Sequence, residues 1–456
     1  MIKERKSPFF VIVAMIAGLS GILFGYDTGV MSGAILFISK EFGLSPLMNG
    51  IVVAAVLLGA FLGAIFSGVI TDLWGRRRVL ICVAIIFIFG TIITAIVHHI
   101  WVLAIGRFIV GIAIGVASYT APLYISEISP PRHRGALVSL NQLTISIGIL
   151  LSYIVDFLFA ESSNWRGMLI MGVVPAVFLL IGMIFLPFSP RWLVGAGRKG
   201  DALDILTALR GSMPLAVREL DEIVETSKKE KGTYSELFSA QVRPVLWIGV
   251  LLAIIQQVTG INTILYYAPT IFEFAGFETS VASILATMGV GVIFVLFTVI
   301  ALPLLDNWGR RPLLVLGLVG MFISLVALSI SFNLIKVDGS GKGLALACML
   351  VYIASFAISL GPIMWLMIAE IYPLKVRGAG ASFATCINWA SNWLVTVTFL
   401  SLVSAIGASG TFIIYAGFAL VSLFFVWFYV PETKGISLEK IERNLFAGKP
   451  WRQLGK

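Results

Sequence analysis

Asp72-Leu-Trp-Gly-Arg-Arg77 returns in the second half of the chain as Asp306-Asn-Trp-Gly-Arg-Arg311. Working outward, Glu127 is followed seven positions on by Arg134-Gly135, and Glu370 is followed at the same distance by Arg377-Gly378. Phe188-Ser-Pro-Arg-Trp closes the first half and Pro431-Glu-Thr-Lys-Gly the second. Charged clusters repeated at matching places between apolar stretches point to a tandem membrane domain with parallel repeats. Transporters use that architecture to expose a central site to one side and then the other.

Of 456 residues, 59% are hydrophobic and 12% charged, and the mean hydropathy is +1.01. A soluble domain of this length cannot hide so much apolar surface, so the chain belongs in a bilayer. Apolar runs long enough to cross a core of about 30 Å recur throughout. The expected spans are 9–38, 47–71, 79–98, 101–126, 135–158, 166–187, 244–275, 280–304, 313–335, 343–371, 378–403 and 410–430. The fold class is thus all-α integral membrane, twelve helices in two six-helix bundles. The expected organisation is a first bundle over 1–189, a linker over 190–243, a second bundle over 244–430 and a tail over 431–456.

The net charge of +9 is a topology signal. With both termini cytoplasmic, the cytoplasmic segments hold every Lys and Arg except Lys40, Arg107, Arg166, Lys336 and Lys342, a strong positive-inside bias. No soluble basic module remains to bind nucleic acid. The basic start before the first apolar run imitates a signal peptide, but the run continues well past signal length, so a retained helix is expected. Cys82, Cys348 and Cys386 fall within spans without metal or disulfide spacing. No cluster of His, Cys or carboxylates offers nucleophilic or metal chemistry, so neither an enzyme, a metal nor a cofactor is expected. Within 190–243, Leu203, Leu206, Leu209, Leu220 and Ile223 recur at helical spacing among charged residues. That pattern suits short cytoplasmic amphipathic helices that latch the halves, or a linker that merely joins them.

Three constellations carry the functional reading. The first is the repeated charge set at cytoplasmic helix ends: Asp72, Arg76, Arg77, Glu127 and Arg134, then Asp306, Arg310, Arg311, Glu370 and Arg377, with Glu432 in the closing motif. Positive-inside bias needs no matching acids at fixed distances, so these read as conformational locks. The second is Asp27, an ionisable residue inside the first span, which lies at a depth similar to Arg107 in the fourth. Protonation of Asp27 would break such a pair and bias the bundle; the bland alternative is a static buried pair. The third is neutral: Asn141, Gln142, Gln256, Gln257, Asn262, Asn388 and Asn392, with Trp365 and Trp389. Amides and indole rings together suit a polyhydroxyl ligand.

These residues resemble the sugar porter branch of the major facilitator superfamily over essentially the whole chain, and within it the bacterial galactose, arabinose and xylose proton symporters. The matching segments include Gly25-Tyr-Asp-Thr-Gly29, Gly106-Arg107, Ser189-Pro-Arg-Trp192, Gln256-Gln-Val-Thr-Gly-Ile-Asn262 and Gly361-Pro-Ile-Met-Trp365. The resemblance implies a major facilitator fold in which Phe24, Gln142, Gln256, Gln257, Asn262, Trp365, Asn388 and Trp389 contact the sugar. It implies that Asp27 with Arg107 couples the proton, and that Tyr266 and Tyr267 form an extracellular gate. Two positions depart from the family pattern: Phe294 stands where relatives carry a sugar-binding Asn, and Phe188 where they carry Glu. The expectation is a monomeric, proton-coupled monosaccharide importer of the bacterial inner membrane, partnered by sugar, proton and lipid. A facilitative sugar or polyol uniporter and a transporter-like sugar sensor are the alternatives.

Overall fold

The computed structural model describes residues 9–130, 134–227, 234–373, 375–436 and 438–455. The side chains of Arg134 and Asp306, two members of the expected locks, lie outside the described residues. Every element among the described residues is helical. The first six spans are Phe9–Phe42, Pro46–Trp74, Arg76–Ile96, Ile100–Ile128, Arg134–Ala160 and Trp165–Phe185. The seventh to tenth are Arg243–Phe274, Ser280–Trp308, Arg310–Asp338 and Lys342–Ile371. The last two form one helical run, Arg377–Tyr429, broken only at Gly407 (φ 78°, ψ 166°). Twelve spans result, as the apolar pattern requires. Where the sequence reading leaves a loop at 404–409, the chain turns at this single residue, a backbone conformation that L side chains avoid.

Close approach of the spans follows from glycine at four-residue spacing. Gly59 and Gly63 of the second span face the backbone of Phe108 and Ile112 in the fourth, while Gly111 and Gly115 face Val56 and Ala60 in return. A methyl group at any of these positions would strike main-chain atoms, so the two helices cross in direct backbone contact. Gly25 of the first span does the same against Ile145 of the fifth, while Gly29 and Gly33 leave room for the side chains of Ser152 and Asp156.

Starts of odd spans and ends of even spans share one end of the bundle. There Arg76 meets Glu127, Arg77 meets the carbonyls of Met183 and Ile184, and Arg310 meets Glu370. Ile16, near the start of the first span, packs at Gly182 near the end of the sixth. Between the halves, Pro190–Gly195, Lys199–Arg210, Met213–Ser227 and Tyr234–Leu237 form short helices. Arg210 donates to the carbonyl of Ile128 (2.8 Å) and pairs with Glu219 (2.6 Å), tying these helices to the first half. Lys375 reaches Glu236 (2.9 Å), and Phe238 packs edge-on against Phe383, tying them to the second. In the tail, Leu438–Phe446 buries Ile441 and Leu445.

Contacts between the halves run from the middle of the bundle to the end away from the charge clusters. Phe24 packs on Trp389 (ring centroids 5.3 Å), Gly50 abuts Val397, and Lys40 donates to Ser280 (3.3 Å).

Candidate functional site at the centre of the bundle

The seventh and tenth spans are both interrupted at mid-depth. Gly260 (φ 92°) divides the seventh between Val258 and Ile261, and Ile358-Ser359 divides the tenth between Ala357 and Leu360. Interrupted helices leave backbone carbonyls without intrahelical partners, a cost tolerated in a membrane only where protein or a cavity can satisfy them. Tyr352 of the tenth span accordingly donates its hydroxyl to the Thr259 carbonyl (2.8 Å). Gln256 donates to the Leu360 carbonyl (2.9 Å).

These breaks gather the amides that sequence marks as sugar-binding. Asn388 of the eleventh span donates to Gln256 Oε1 (2.8 Å) and to the Ala253 carbonyl (3.0 Å). Gln257 donates to Asn388 Oδ1 (3.1 Å), and Asn262 donates to Gln257 Oε1 (2.7 Å). The hydrogen bonds among the side chains fix which way each amide points. Trp389 is buried, and its indole N–H has no partner among the described residues. Phe24, Gln142 and Asn262 are half-buried, and Trp365 is 38% exposed despite its size. Phe294, one of the two departures from the family pattern, is buried and packs against Phe356 (ring centroids 6.4 Å).

Tyr266 and Tyr267 are both buried, just beyond the break in the seventh span. Pro269 removes the N–H that would bond the Leu265 carbonyl four residues back. Tyr153 of the fifth span donates to that carbonyl instead (3.0 Å), across the boundary between the halves. Tyr267 leaves helical geometry (φ −122°, ψ 17°), packs at a tilt against Phe399 (ring centroids 5.2 Å) and donates to the Thr396 carbonyl (3.4 Å). Both tyrosines therefore lie packed on the side where the halves touch.

Asp27 and Arg107 meet. Arg107 Nη1 donates to Asp27 Oδ1 as a buried ion pair, with Arg107 1% and Asp27 6% exposed. The two residues come from the first and fourth spans, so the pair is internal to the first half.

The charge clusters also pair within halves. Arg76 donates to Glu127 (2.9 Å) and pairs with Asp72 (3.2 Å), while Arg310 grips Glu370 through two nitrogens (3.2 and 2.8 Å). Ser189 and Thr433, at matching places in the closing motifs, donate to Glu127 and Glu370 respectively. Glu432 accepts from the backbone N–H groups of Arg310 (3.1 Å) and Arg311 (3.0 Å). Phe188 occupies the equivalent place in the first half and lies under the guanidinium groups of Arg77 (4.8 Å) and Arg78 (5.3 Å). Arg377 donates to the Tyr372 carbonyl (3.2 Å).

Two features escaped the sequence reading. Asp156 in the fifth span is fully buried, accepts from the Gly33 N–H (3.1 Å), and has its second oxygen unpartnered among the described residues. It meets the criterion that singled out Asp27, an ionisable residue inside an apolar span, and that criterion would have found it. At the opposite end from the charge clusters, Glu41 accepts from Trp165 (2.6 Å) and Arg166 (2.9 Å), joining the first and sixth spans. Arg166 and Glu41 are separated by the whole bundle in sequence, and nothing local signals their meeting.

Twelve spans in duplicated halves, a mid-depth polar site at helix breaks and charge clusters at one end define a major facilitator transporter, a membrane transport protein and not an enzyme. The model of the sugar (and other) transporter family matches residues 13–445, and the chain belongs to that family. It is 41% identical to the galactose-proton symporter of Escherichia coli K12 over 453 residues, covering 99% of this chain and 97% of the relative. It is 44% identical to the D-xylose transporter of Levilactobacillus brevis over 437 residues, covering 95% of each. The xylose transporter XylE from E. coli, in a partially occluded inward open conformation, superposes with a TM-score of 0.83 at 32% identity, covering 94% of this chain and 100% of that one.

Proposed function

We propose that the protein is a proton-coupled importer of a monosaccharide of the galactose, glucose, arabinose or xylose class, working by alternating access in a bacterial inner membrane with both termini cytoplasmic. The observation that carries the coupling is the buried Asp27–Arg107 pair. A carboxylate in the middle of a span is stabilised there by its cation, and a proton on Asp27 removes the attraction that binds the first span to the fourth. Protonation state and helix packing are then linked. The sugar is read by the amide network of Gln256, Gln257, Asn262 and Asn388, with Gln142 on the opposite half and Phe24, Trp365 and Trp389 supplying ring faces. Loading of both ligands favours passage between states, and the charge clusters hold each half's helix ends together during it. Similarity to a galactose-proton symporter and to xylose transporters supports this substrate class.

The experiment is uptake in proteoliposomes with Asp27→Asn. Uphill accumulation is abolished while exchange of labelled sugar across the membrane continues; accumulation at wild-type level in this variant would sink the coupling role. Adding galactose, glucose, arabinose, xylose or inositol singly to de-energised vesicles, with external pH recorded, identifies the sugar by alkalinisation. Equilibration of labelled sugar without a pH change would instead mean a uniporter.

A further inference from the structure

The ion pair leaves part of the Arg107 guanidinium unused. Nη1 donates to Asp27, but Nε and Nη2 have no hydrogen-bond partner among the described residues, although Arg107 is 1% exposed. Buried N–H groups are rarely left idle, and those of a cation least of all. Beside the pair lies a cavity of about 10 Å³, walled by Asp27 and Arg107 together with Thr91 and Thr94 of the third span, Val110 of the fourth and Gly172 of the sixth. One water molecule needs roughly that volume and two to four polar neighbours. The wall supplies them: the guanidinium, the carboxylate and two hydroxyls. Thr94 donates its proton to the Thr91 carbonyl (2.7 Å), which leaves its oxygen free to accept.

We propose that this cavity is a one-water site, and that Thr91 and Thr94 act through the water to hold Arg107 when Asp27 carries the proton. The proposal rests on the reading of Asp27 as the proton site. In the step itself a proton adds to a carboxylate oxygen of Asp27 and gives a neutral carboxylic acid. The charge-assisted N–H to carboxylate contact is lost, and arginine keeps its proton and its charge. A buried cation deprived of its carboxylate partner is strongly unfavourable unless other acceptors replace it. The water and threonine oxygens are those acceptors, so they stabilise the protonated state of the pair. Other ionisable groups facing the pair are Tyr26, whose hydroxyl donates to the Met168 carbonyl (2.8 Å), and Tyr266 of the seventh span. The parts of the third and sixth spans that wall the cavity carry no ionisable side chain. Thr91 and Thr94 are positioning residues, touching neither sugar nor proton.

The test compares Thr91→Val, which keeps the shape and removes the hydroxyl, with Thr91→Ser, which keeps the hydroxyl. Sugar accumulation by proteoliposomes is measured against external pH, with labelled sugar exchange measured alongside. Thr91→Val moves the pH of half-maximal accumulation about one unit to the acid side, a roughly tenfold higher proton requirement. Exchange and sugar affinity stay at wild-type values, and Thr91→Ser restores the midpoint. Val110→Ile, which extends a methyl group into the space for the water, shifts the midpoint in the same direction. An unchanged midpoint in Thr91→Val or Val110→Ile, or an equal shift in Thr91→Ser, overturns the proposal. Failure of the underlying reading is separately visible, as uphill accumulation by Asp27→Asn.

Discussion

Gln257 stands at the centre of the amide network. Its oxygen accepts from Asn262 and its nitrogen donates to Asn388, so removing it leaves two other amides misdirected as well as removing its own contact. Gln257→Ala should therefore weaken sugar binding about tenfold or more, since one lost hydrogen bond with buried partners is worth roughly 1–3 kcal/mol. Trp365→Ala should weaken it comparably by removing a large ring face that the fold leaves 38% exposed. Equilibrium binding in detergent, by titration calorimetry or scintillation proximity, checks both; unchanged affinity in the pair would remove these residues from the site. At this scale residue types were legible in the sequence, because amides, an aspartate and tryptophans inside apolar spans are conspicuous. Partnerships across the bundle were legible only for Asp27 and Arg107, where depth along two spans could be compared. Asp156 reaching the Gly33 N–H depends on the glycine contacts between the first and fifth spans, which bring the two backbones close enough for a side chain to cross.

The third and ninth spans both begin Arg-Arg after Trp-Gly and are capped differently. Glu432 receives the first N–H groups of the ninth span, combining hydrogen bonds with the favourable placement of a negative charge at a helix start. The third span begins after Gly75 with no side-chain cap, and Phe188 stacks on arginines where a carboxylate would sit. Phe188→Glu should supply the missing cap and raise the stability of the purified protein by about 1 kcal/mol, read as a higher melting temperature in detergent. Loss of the ring's contacts with Arg77, Arg78 and Trp192 opposes the gain, so a lower melting temperature would mean that stacking outweighs the cap. The number and placement of the spans followed from hydropathy and charge, which act through the bilayer and are written locally. The helix breaks were less legible. Pro269 and Pro362 announce irregularity in the seventh and tenth spans, but the breaks fall at Gly260 and Ser359, where side chains from other spans reach in to satisfy the backbone. Gly407 replaces an expected loop because one residue with positive φ suffices to reverse the chain.

For the whole molecule, the two halves are joined through backbone contact at a few small residues, and alternating access requires that these contacts form and break. Gly50 in the second span is the most demanding: a Cβ there would lie 2.5 Å from the Val397 carbonyl oxygen and 3.3 Å from its Cα in the eleventh span. Main-chain atoms inside two helices cannot move aside as a side-chain tip can, so a large residue must push the helices apart. In the orientation proposed above, with both termini cytoplasmic, this junction lies on the outer side. Gly50→Trp should hold the outer end open, abolish accumulation and exchange together, and leave sugar binding from outside intact. Asn392 in the eleventh span is 2% exposed while the halves are joined, which makes it a reporter of that state. In a background with Cys82, Cys348 and Cys386 replaced by Ser, Asn392→Cys should react several-fold faster with a membrane-impermeant thiol reagent added outside when Gly50→Trp is also present, because the protein without it opens outward only for part of its cycle. Equal protection of that cysteine with and without the tryptophan would show that the junction at Gly50 does not control access to the middle of the bundle, and that the halves separate about some other contact.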